Sequence, residues 1–228
     1  MKIGVIVAMG KELRLLLPLL TAPRTEERGG FTFHIGSMGA HEVIAMQCGI
    51  GKVNAALGTL TLLREFEPGL VINTGVAGGT GGDARIMDVV VGEQIAYHDV
   101  WCGPGTEWGE AAGCPRFFRS APAITAMSMF DGDPSIHRGL IASGDIFVSR
   151  PEEVAAFREL YPGVMAVDME SAAIAQTCHL NGVPFLVMRV ISDTPGGADN
   201  IAQYEDFWEQ APEHTFSLLH QLLQNLPE

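Results

Sequence analysis

The chain has 228 residues, of which 47% are hydrophobic and 18% charged, and its mean hydropathy is +0.19. This length and composition predict one large folded domain or two small ones, and they exclude a disordered chain. The formal net charge is −13. Because such a surface repels phosphate backbones and anionic lipids, we expect neither nucleic acid nor a membrane as a partner. No apolar stretch approaches the roughly 20 residues needed to cross a bilayer.

In chain order, short Val- and Ile-rich runs alternate with longer segments of helical period. They predict strand 2–8, helix 10–20, hairpin strand 31–35, strand 42–47, helix 52–66, strands 69–73 and 87–91, loop 101–120, strand 138–142, helices 151–160 and 168–181, strand 184–191 and helix 204–225. This alternation is typical of an α/β fold around one central sheet. Since no repeat, linker or boundary interrupts it, we expect residues 1–228 to form a single domain.

Four cysteines are spread along the chain without any Cys-x-x-Cys spacing, at positions 48, 102, 114 and 178. They predict reduced thiols, with neither a disulfide scaffold nor a zinc site. The apolar run at residues 3–8 is too short for a secretory signal core and is followed by Lys11 and Glu12. We therefore expect a cytoplasmic protein.

Three glycine-rich segments follow predicted strands and are interpreted as turns, at 49–52, 75–79 and 143–145. In open α/β sheets ligands bind just past the carboxyl ends of the strands, where glycine allows close approach of the backbone. The first segment is not a dinucleotide fingerprint, because Asn54 stands where the third glycine belongs. Gly10-Lys11 is not a phosphate-binding loop, because Glu12 follows and the earlier glycine is missing. The sequence thus argues against NAD and ATP, and we expect no cofactor.

Acidic residues stand at the ends of predicted elements. Glu12 opens the first helix, Asp168 and Glu170 open a later one, and Asp193 follows the most apolar strand. Each has an alternative structural explanation, because acids commonly cap helix starts. Together, at one edge of one sheet, they indicate a site, and Arg189 within the last strand needs an acidic partner if it is buried.

The absence of two sequence motifs narrows the reactions that these acidic residues could catalyse. Neither metal-ligand spacing nor a Gly-x-Ser-x-Gly elbow is present, so we expect no metal and no serine triad. Glycosidic cleavage is one reaction that carboxylates alone can perform. One acid protonates the leaving group, and another carboxylate activates water against a cationic transition state.

These residues carry a recognisable pattern. The chain resembles the methylthioadenosine/S-adenosylhomocysteine nucleosidases of the nucleoside phosphorylase superfamily. The matching segments run in family order over nearly the whole chain: Met1–Met9 with Glu12, Gly49–Val53, Asn73–Gly79, Tyr97–Asp99, Ser143–Phe147, Val167–Glu170 and Arg189–Asp193.

The resemblance implies a three-layer α/β/α sandwich with a mixed sheet, and hydrolysis of the adenine N-glycosidic bond without a cofactor. It also implies a homodimer. Glu12 matches the general base for the attacking water, and Asp193 matches the acid that protonates adenine N7. Glu170 matches the acceptor for ribose hydroxyls.

The other site residues implied by the resemblance surround the nucleoside. Phe147 and Val148 match purine contacts, and Met169 packs on the sugar. Met9 and Ile50 match the lining around the 5′-thio group. The remaining positions are Val76, Ala77, Gly78, Arg189, Ser192 and Tyr204, where Arg189 and Ser192 match supporting polar groups.

The sequence departs from the family pattern in several places. Asp168 replaces a common Glu, Val76 a common Ser, and Tyr204 a common Phe. The loop that holds Trp101 and Trp108 is shorter than in relatives, where it helps wall the 5′-pocket across a dimer interface. From composition alone this loop either covers a site or is an ordinary surface loop with its Trp side chains packed inward.

Three other functions stay open at this point. One is a phosphorylase of the same superfamily, disfavoured because residues 9–12 lack the Gly-x-Pro-x-Arg turn and Asn73 stands where an Arg would be. Another is a hydrolase of futalosine or aminofutalosine. The last is a nucleoside-binding protein without activity, disfavoured because Glu12, Glu170 and Asp193 are all present.

Overall fold

The computed structural model of this protein describes residues 1–197, 199–210 and 216–227. Within them ten strands join in one mixed sheet: β1 Lys2–Val7, β2 Thr21–Arg28, β3 Phe31–Met38, β4 His41–Gln47, β5 Leu70–Gly79, β6 Val89–Tyr97, β7 Phe118–Arg119, β8 Ile136–Ser143, β9 Val164–Asp168 and β10 Phe185–Asp193. The helices are α1 Gly10–Leu16, α2 Lys52–Phe66, α3 Pro122–Thr125, α4 Pro151–Leu160, α5 Ser171–Asn181, α6 Asn200–Gln210 and α7 Ser217–Asn225. Short 3₁₀ turns cover Leu17–Leu19 and Ser128–Phe130.

The sheet is buried on both faces, and β1 shows why its sequence is nearly continuous in apolar residues. Ile3, Val5 and Val7 pack on the same side as the leucines of α7. Ile6 packs on the other side, where α2 and α5 lie. Gly4 lies on that side too, where a Cβ would collide with the Leu62 side chain of α2. Helices on both faces confirm the predicted three-layer α/β/α fold with a mixed sheet.

Part of this sheet closes on itself. β5 pairs in parallel with β1 and β10, and antiparallel with β9. From β9 the pairing continues through β8 and β6 back to β10, so that five strands form a ring. The strands β1, β4, β3 and β2 extend from this ring as an open sheet. The ring brings strand ends that are distant in sequence to one place.

One predicted turn is wrong. Residues 75–79 belong to β5, which runs on past the predicted end at 73 to Gly79. Gly75 pairs with Arg189 of β10, and Gly79 pairs with Ala166 of β9. Hydrogen bonds to two neighbouring strands therefore override the turn preference of the glycines.

Two predicted helices have other bounds in the structure, each for a local reason. Helix 10–20 ends as α1 at Leu16, because Pro18 cannot continue it. Helix 168–181 begins three residues later as α5, since Asp168 pairs with Ser143 as the last residue of β9.

Strand 87–91 is β6, which extends to Tyr97. The predicted helix 204–225 corresponds to α6 and α7, and its residues 211–215 lie outside the described residues. Strand β2 was missed because its exposed sequence is polar. In the part of the chain that the structure describes, no helix has the length and apolarity of a membrane span.

Candidate active site

The carboxyl ends of six strands meet around one cavity, and α6 contributes to its wall. The strands are β1, β4, β5, β8, β9 and β10. Every predicted site residue except Arg189 lines this cavity: Met9, Glu12, Ile50, Val76, Ala77, Gly78, Phe147, Val148, Met169, Glu170, Ser192, Asp193 and Tyr204. Arg189 is buried beside this lining. Residues up to 195 positions apart in sequence are thus brought to one place by the strand order.

Glu12 is held by three backbone N–H groups. Those of Ala8 and Met9 each donate to its Oε2 at 2.8 Å, and that of Val76 on β5 donates to Oε1 at 3.0 Å. The bond to Met9 is the helix cap anticipated above, but the bond to Val76 reaches across the site. Glu12 is 1% exposed, and burial raises its pKa against the opposing effects of Arg189 and the N–H donors. A buried carboxylate of raised pKa is suited to accept a proton near neutral pH.

Gly75 allows Glu12 and Arg189 to approach each other. Its φ of +143° favours glycine, and a Cβ at this position would collide with the Glu12 carboxylate and with Nη1 of Arg189. Glycine is therefore required at position 75 by the space that the two charged groups occupy.

The guanidinium of Arg189 is fixed on two of its three nitrogens. Nε lies 2.7 Å from Oδ2 of Asp168, and Nη2 lies 2.7 Å from Oδ1 of Asn73. The hydroxyl of Ser171 bonds both of these partners. Nη1 has no hydrogen-bond partner among the described residues and faces Gly75, next to Glu12. One cationic N–H group is therefore available to an oxygen placed beside Glu12.

Glu170 lies at the N-cap of α5 and turns its carboxylate into the cavity. Its Oε1 accepts a hydrogen bond from the Gly51 N–H at 2.9 Å, and its Oε2 lies 3.9 Å from Nη2 of Arg189. Burial, and then the neighbouring Asp168 carboxylate, raise the pKa of Glu170 to about 7. Such a group can accept hydrogen bonds from hydroxyls when ionised, and it changes charge near neutral pH.

Asp193 is the last residue of β10, and it has a donor on each oxygen. The Ser192 hydroxyl donates to Oδ1 at 2.6 Å, and the Asn200 amide donates to Oδ2 at 2.5 Å. Asp193 is 3% exposed, and burial raises its pKa while these two bonds work in the opposite direction. A carboxyl group in this setting is suited to hold and release a proton.

The remaining wall is apolar. The rings of Phe147 and Tyr204 meet edge to face with centroids 5.8 Å apart, and the Tyr204 hydroxyl lies 3.2 Å from the sulfur of Met9. Phe147 and Ile50 are about half exposed, so they stand at the mouth of the cavity. A cavity with apolar walls and a few charged groups fits a small molecule with a flat ring and a polar centre.

Known proteins match this chain over its full length. The sequence profile of the phosphorylase superfamily matches residues 2–224. The 5′-methylthioadenosine/S-adenosylhomocysteine nucleosidase of Bacillus thuringiensis subsp. konkukian is 38% identical over 231 residues, covering 99% of this chain and 100% of the relative.

Solved structures agree. The S-adenosylhomocysteine nucleosidase of Streptococcus pyogenes, in complex with 5-methylthiotubericidin, superposes with a TM-score of 0.94 at 36% identity, covering 100% of this chain and 98% of that one. The chain belongs to the 5′-methylthioadenosine/S-adenosylhomocysteine nucleosidase family. The enzyme of S. pneumoniae with the transition-state inhibitor MT-ImmA also matches with a TM-score of 0.94, at 35% identity over 100% of both chains. The resemblance drawn from the sequence motifs is confirmed.

Val76 and Asp168 each make contacts beside the cavity. Val76 cannot offer a side-chain hydroxyl, yet its N–H still bonds Glu12, and its side chain packs with Val190 and Phe207. The Val76 side chain therefore contributes packing against α6 and no hydrogen bond. Asp168 forms a buried ion pair with Arg189.

The tryptophan loop lies outside this cavity. Trp101 and Trp108 stack on each other with centroids 6.2 Å apart, and both are about half exposed. The Trp108 indole N–H donates to the His98 carbonyl at 2.9 Å. Neither ring is packed inward, and neither lines the cavity of its own chain.

Several lining residues carried no assignment from the sequence. Ala8, Ile146 and Val167 adjoin assigned positions, so proximity along the chain was their signal. Asp168 was indicated only as one of the acidic residues at the ends of predicted elements, and its pairing with Arg189 was not predicted. The role of Asn200 had no sequence signal, because its contact depends on where α6 lies.

Proposed function

We propose that this protein hydrolyses the N-glycosidic bond of 5′-methylthioadenosine and S-adenosylhomocysteine, with Asp193 as general acid and Glu12 as general base. The observation that carries this proposal is the arrangement of three buried carboxyl groups around one cavity, each with a raised pKa. The relatives named above act on these nucleosides or bind their analogues.

The leaving group needs a proton, because adenine departs poorly as an anion. Asp193 supplies it to N7, and Ser192 holds the carboxylate that results. Phe147 stacks on the purine, and Val148 contacts its edge through the backbone. Burial of Asp193 favours the protonated form before the reaction, and its two hydrogen-bond donors favour the ionised form afterwards.

The attacking water is activated on the opposite side of the ribose. A water oxygen that accepts a bond from Nη1 of Arg189 can donate a proton to Oε1 of Glu12, since both atoms crowd the same side of Gly75. The three N–H donors on Glu12 keep its carboxylate in one orientation, so little reorganisation is needed when the proton moves.

The sugar is held by Glu170, with Met169 packed against it. Positive charge develops on the ribose ring as the bond to adenine breaks, and the Glu12 and Glu170 carboxylates stabilise it in a site of low exposure. The 5′-thio group lies against Met9, Ile50 and Tyr204, because a thioether has little to gain from polar walls.

The proposed nucleophile is water and not phosphate. Glu12 would repel a phosphate dianion, and that repulsion is large in a buried site. Phosphate also needs several fixed donors, whereas Nη1 of Arg189 is the free guanidinium donor beside Glu12 among the described residues.

The same proposal includes a homodimer. Val53 and Leu57 lie one helical turn apart on α2 and are 70% and 54% exposed, close to Ile50 at the cavity mouth. Such a patch is covered in many proteins by a second subunit. The dimer implied by the family resemblance would bury it next to the site.

We further propose that residues 1–228 act as one domain and that the protein is cytoplasmic. β10 pairs with β5, and β1 lies between β4 and β5, so dividing the chain would divide the sheet. The cysteines at 48, 102, 114 and 178 are all free, as is usual in a reducing compartment.

A substrate panel tests the activity. Release of adenine should be measured from methylthioadenosine, S-adenosylhomocysteine, 5′-deoxyadenosine and aminofutalosine. We expect the two thio-nucleosides to have the highest kcat/KM. Preference for aminofutalosine by more than about tenfold would assign a different substrate, and binding without adenine release from any of the four would leave only a nucleoside-binding protein.

A further inference from the structure

Asn200 is the first residue of α6, and its side chain is buried against Asp193. Its Nδ2 lies 2.5 Å from Oδ2 of Asp193, and the residue is 4% exposed. An Asn at a helix start commonly uses its side-chain oxygen to cap the helix N–H groups. Here the amide nitrogen donates to a carboxylate on another element.

The contact is one of several that a single face of α6 makes. Asn200, Gln203 and Tyr204 have the i, i+3, i+4 spacing of neighbours on a helix surface. The Gln203 side-chain oxygen accepts a bond from the Thr194 N–H at 2.9 Å, and the Tyr204 hydroxyl reaches Met9. The contacts of Gln203 and Tyr204 hold α6 against the backbone of Thr194 and the side chain of Met9. The contact of Asn200 differs, because it reaches an oxygen of the titratable Asp193.

Asp193 has two donors with different origins. Ser192 precedes it on β10, so its bond to Oδ1 is local. Asn200 comes from α6, so the bond to Oδ2 exists only when the start of the helix is in place. The two bonds together set the orientation of the carboxyl plane, because with only one of them the carboxyl group can still rotate about its Cβ–Cγ bond.

We propose that Asn200 is a positioning residue for Asp193, fixing the plane of its carboxyl group for proton transfer to the purine. This rests on the proposed role of Asp193 as the acid. An amide carries both a donor and an acceptor, so Asn200 can bond Asp193 in either protonation state by rotating its amide group. Asn200 thereby links Asp193 to α6, which forms one wall of the cavity.

Substitution of Asn200 should affect turnover more than binding. We expect Asn200→Ala to lower kcat for methylthioadenosine by roughly 10- to 100-fold, the range for losing a buried hydrogen bond to a charged group, with KM changed less than about threefold. Asn200→Asp, which keeps the shape but sets a second carboxylate against Asp193, should lower kcat further.

The pH profile separates positioning from loss of structure. The other titratable groups lining the cavity are Glu12 of α1, Asp168 at the end of β9, Glu170 at the N-cap of α5 and Tyr204 of α6. The Asn200 bond lowers the pKa of Asp193, so removing it raises that pKa. Because the acid must be protonated, the alkaline limb of kcat should move to higher pH in Asn200→Ala.

Gln203→Ala is the matched control, since it removes a bond between α6 and the backbone without touching Asp193. We expect it to change kcat by less than about threefold and to leave the alkaline limb in place. The proposal is overturned if Asn200→Ala keeps kcat within threefold, if its alkaline limb does not move, or if Gln203→Ala matches it in both respects.

Asp193→Asn makes a failure of this proposal distinguishable from a failure of the proposed function. Loss of cleavage in Asp193→Asn with normal turnover in Asn200→Ala would leave the acid assignment intact and remove the role of Asn200. Normal cleavage in Asp193→Asn would remove the acid assignment, and the role of Asn200 with it.

Discussion

The two sides of the cavity are built differently. On the sheet side, which comprises Glu12, Glu170 and Arg189, the carboxylates are held largely by backbone N–H groups, and the guanidinium by buried side chains. On the side that α6 covers, the helix side, lie Asp193 at the end of β10, Phe147 and Tyr204. Here the acid is held by the side chains of Ser192 and Asn200, and Phe147 stands half exposed.

This difference separates two tasks. A backbone N–H donor does not depend on the side chain of its own residue, as the bond from the Val76 N–H to Glu12 illustrates. The water-activating group is therefore tied to the fold itself. The helix side depends on side chains from α6 and the strand ends, so substitutions there can adjust proton transfer and 5′-group preference while the fold remains.

The largest expected effect lies on the helix side. Asp193→Asn can still donate a hydrogen bond to N7 but cannot transfer a proton, so we expect cleavage to fall by at least about 10³-fold. Purine binding, followed by titration with adenine, should be weakened but detectable. Full activity would mean that another acid protonates adenine, and the two sides would then not divide the work as described.

On the sheet side, Glu12→Gln should lower turnover by roughly 10²-fold or more, because an amide cannot accept the proton from water. Nucleoside affinity should stay largely intact. Since both oxygens of Glu12 accept N–H bonds, the amide nitrogen must also face a donor, and we expect a lower Tm. Near-normal turnover would reduce Glu12 to a helix-start residue.

Glu170→Gln should harm both binding and turnover, by a smaller factor of about 10 to 100 in kcat/KM, because an amide oxygen is a weaker acceptor for ribose hydroxyls. The pKa of Glu170 is about 7. The useful ionised form therefore grows as pH rises through 7, and kcat/KM of the unmodified enzyme should rise over the same range. In Glu170→Gln that part of the rise should disappear; its persistence would assign the ionisation to another group.

The smallest effect is expected from the tryptophan loop. Because Trp101 and Trp108 lie outside the cavity of their own chain, they can reach a 5′-substituent only in a dimer. Trp101→Ala and Trp108→Ala should change the kcat/KM ratio of methylthioadenosine to S-adenosylhomocysteine by a few-fold and leave adenine affinity unchanged. Unchanged ratios in both variants would make the loop a structural element only.

The sheet side was largely predictable from the sequence, and the helix side less so. Glu12, Glu170 and Arg189 lie in or beside strands whose apolar runs are clear, so the strand order brings them together. On the helix side Asp193 was predicted in the same way, but its partner Asn200 was not. The segment 75–79 was mistaken for a turn because its glycines signal flexibility. Only the pairing with β9 and β10 shows that Gly75 is there to make room for Glu12 and Arg189.

Long-range side-chain contacts had no local pattern to reveal them. The bond from Asn200 to Asp193 requires α6 to begin at position 200, whereas helical periodicity placed the start at 204. In the same way, the Asn73–Ser171 contact behind Arg189 joins residues 98 positions apart. Such contacts follow from the three-dimensional arrangement of elements that the sequence predicts only one at a time.

The identity of the nucleophile shows whether Glu12 activates water. Methylthioadenosine should be cleaved in phosphate-free buffer made with ¹⁸O-labelled water, and then with added phosphate, and the sugar product examined by mass spectrometry. We predict free methylthioribose with ¹⁸O incorporated at its anomeric carbon, formed at a rate that phosphate does not raise. Methylthioribose 1-phosphate as the main product, or a saturable dependence of the rate on phosphate, would contradict activation of water by Glu12.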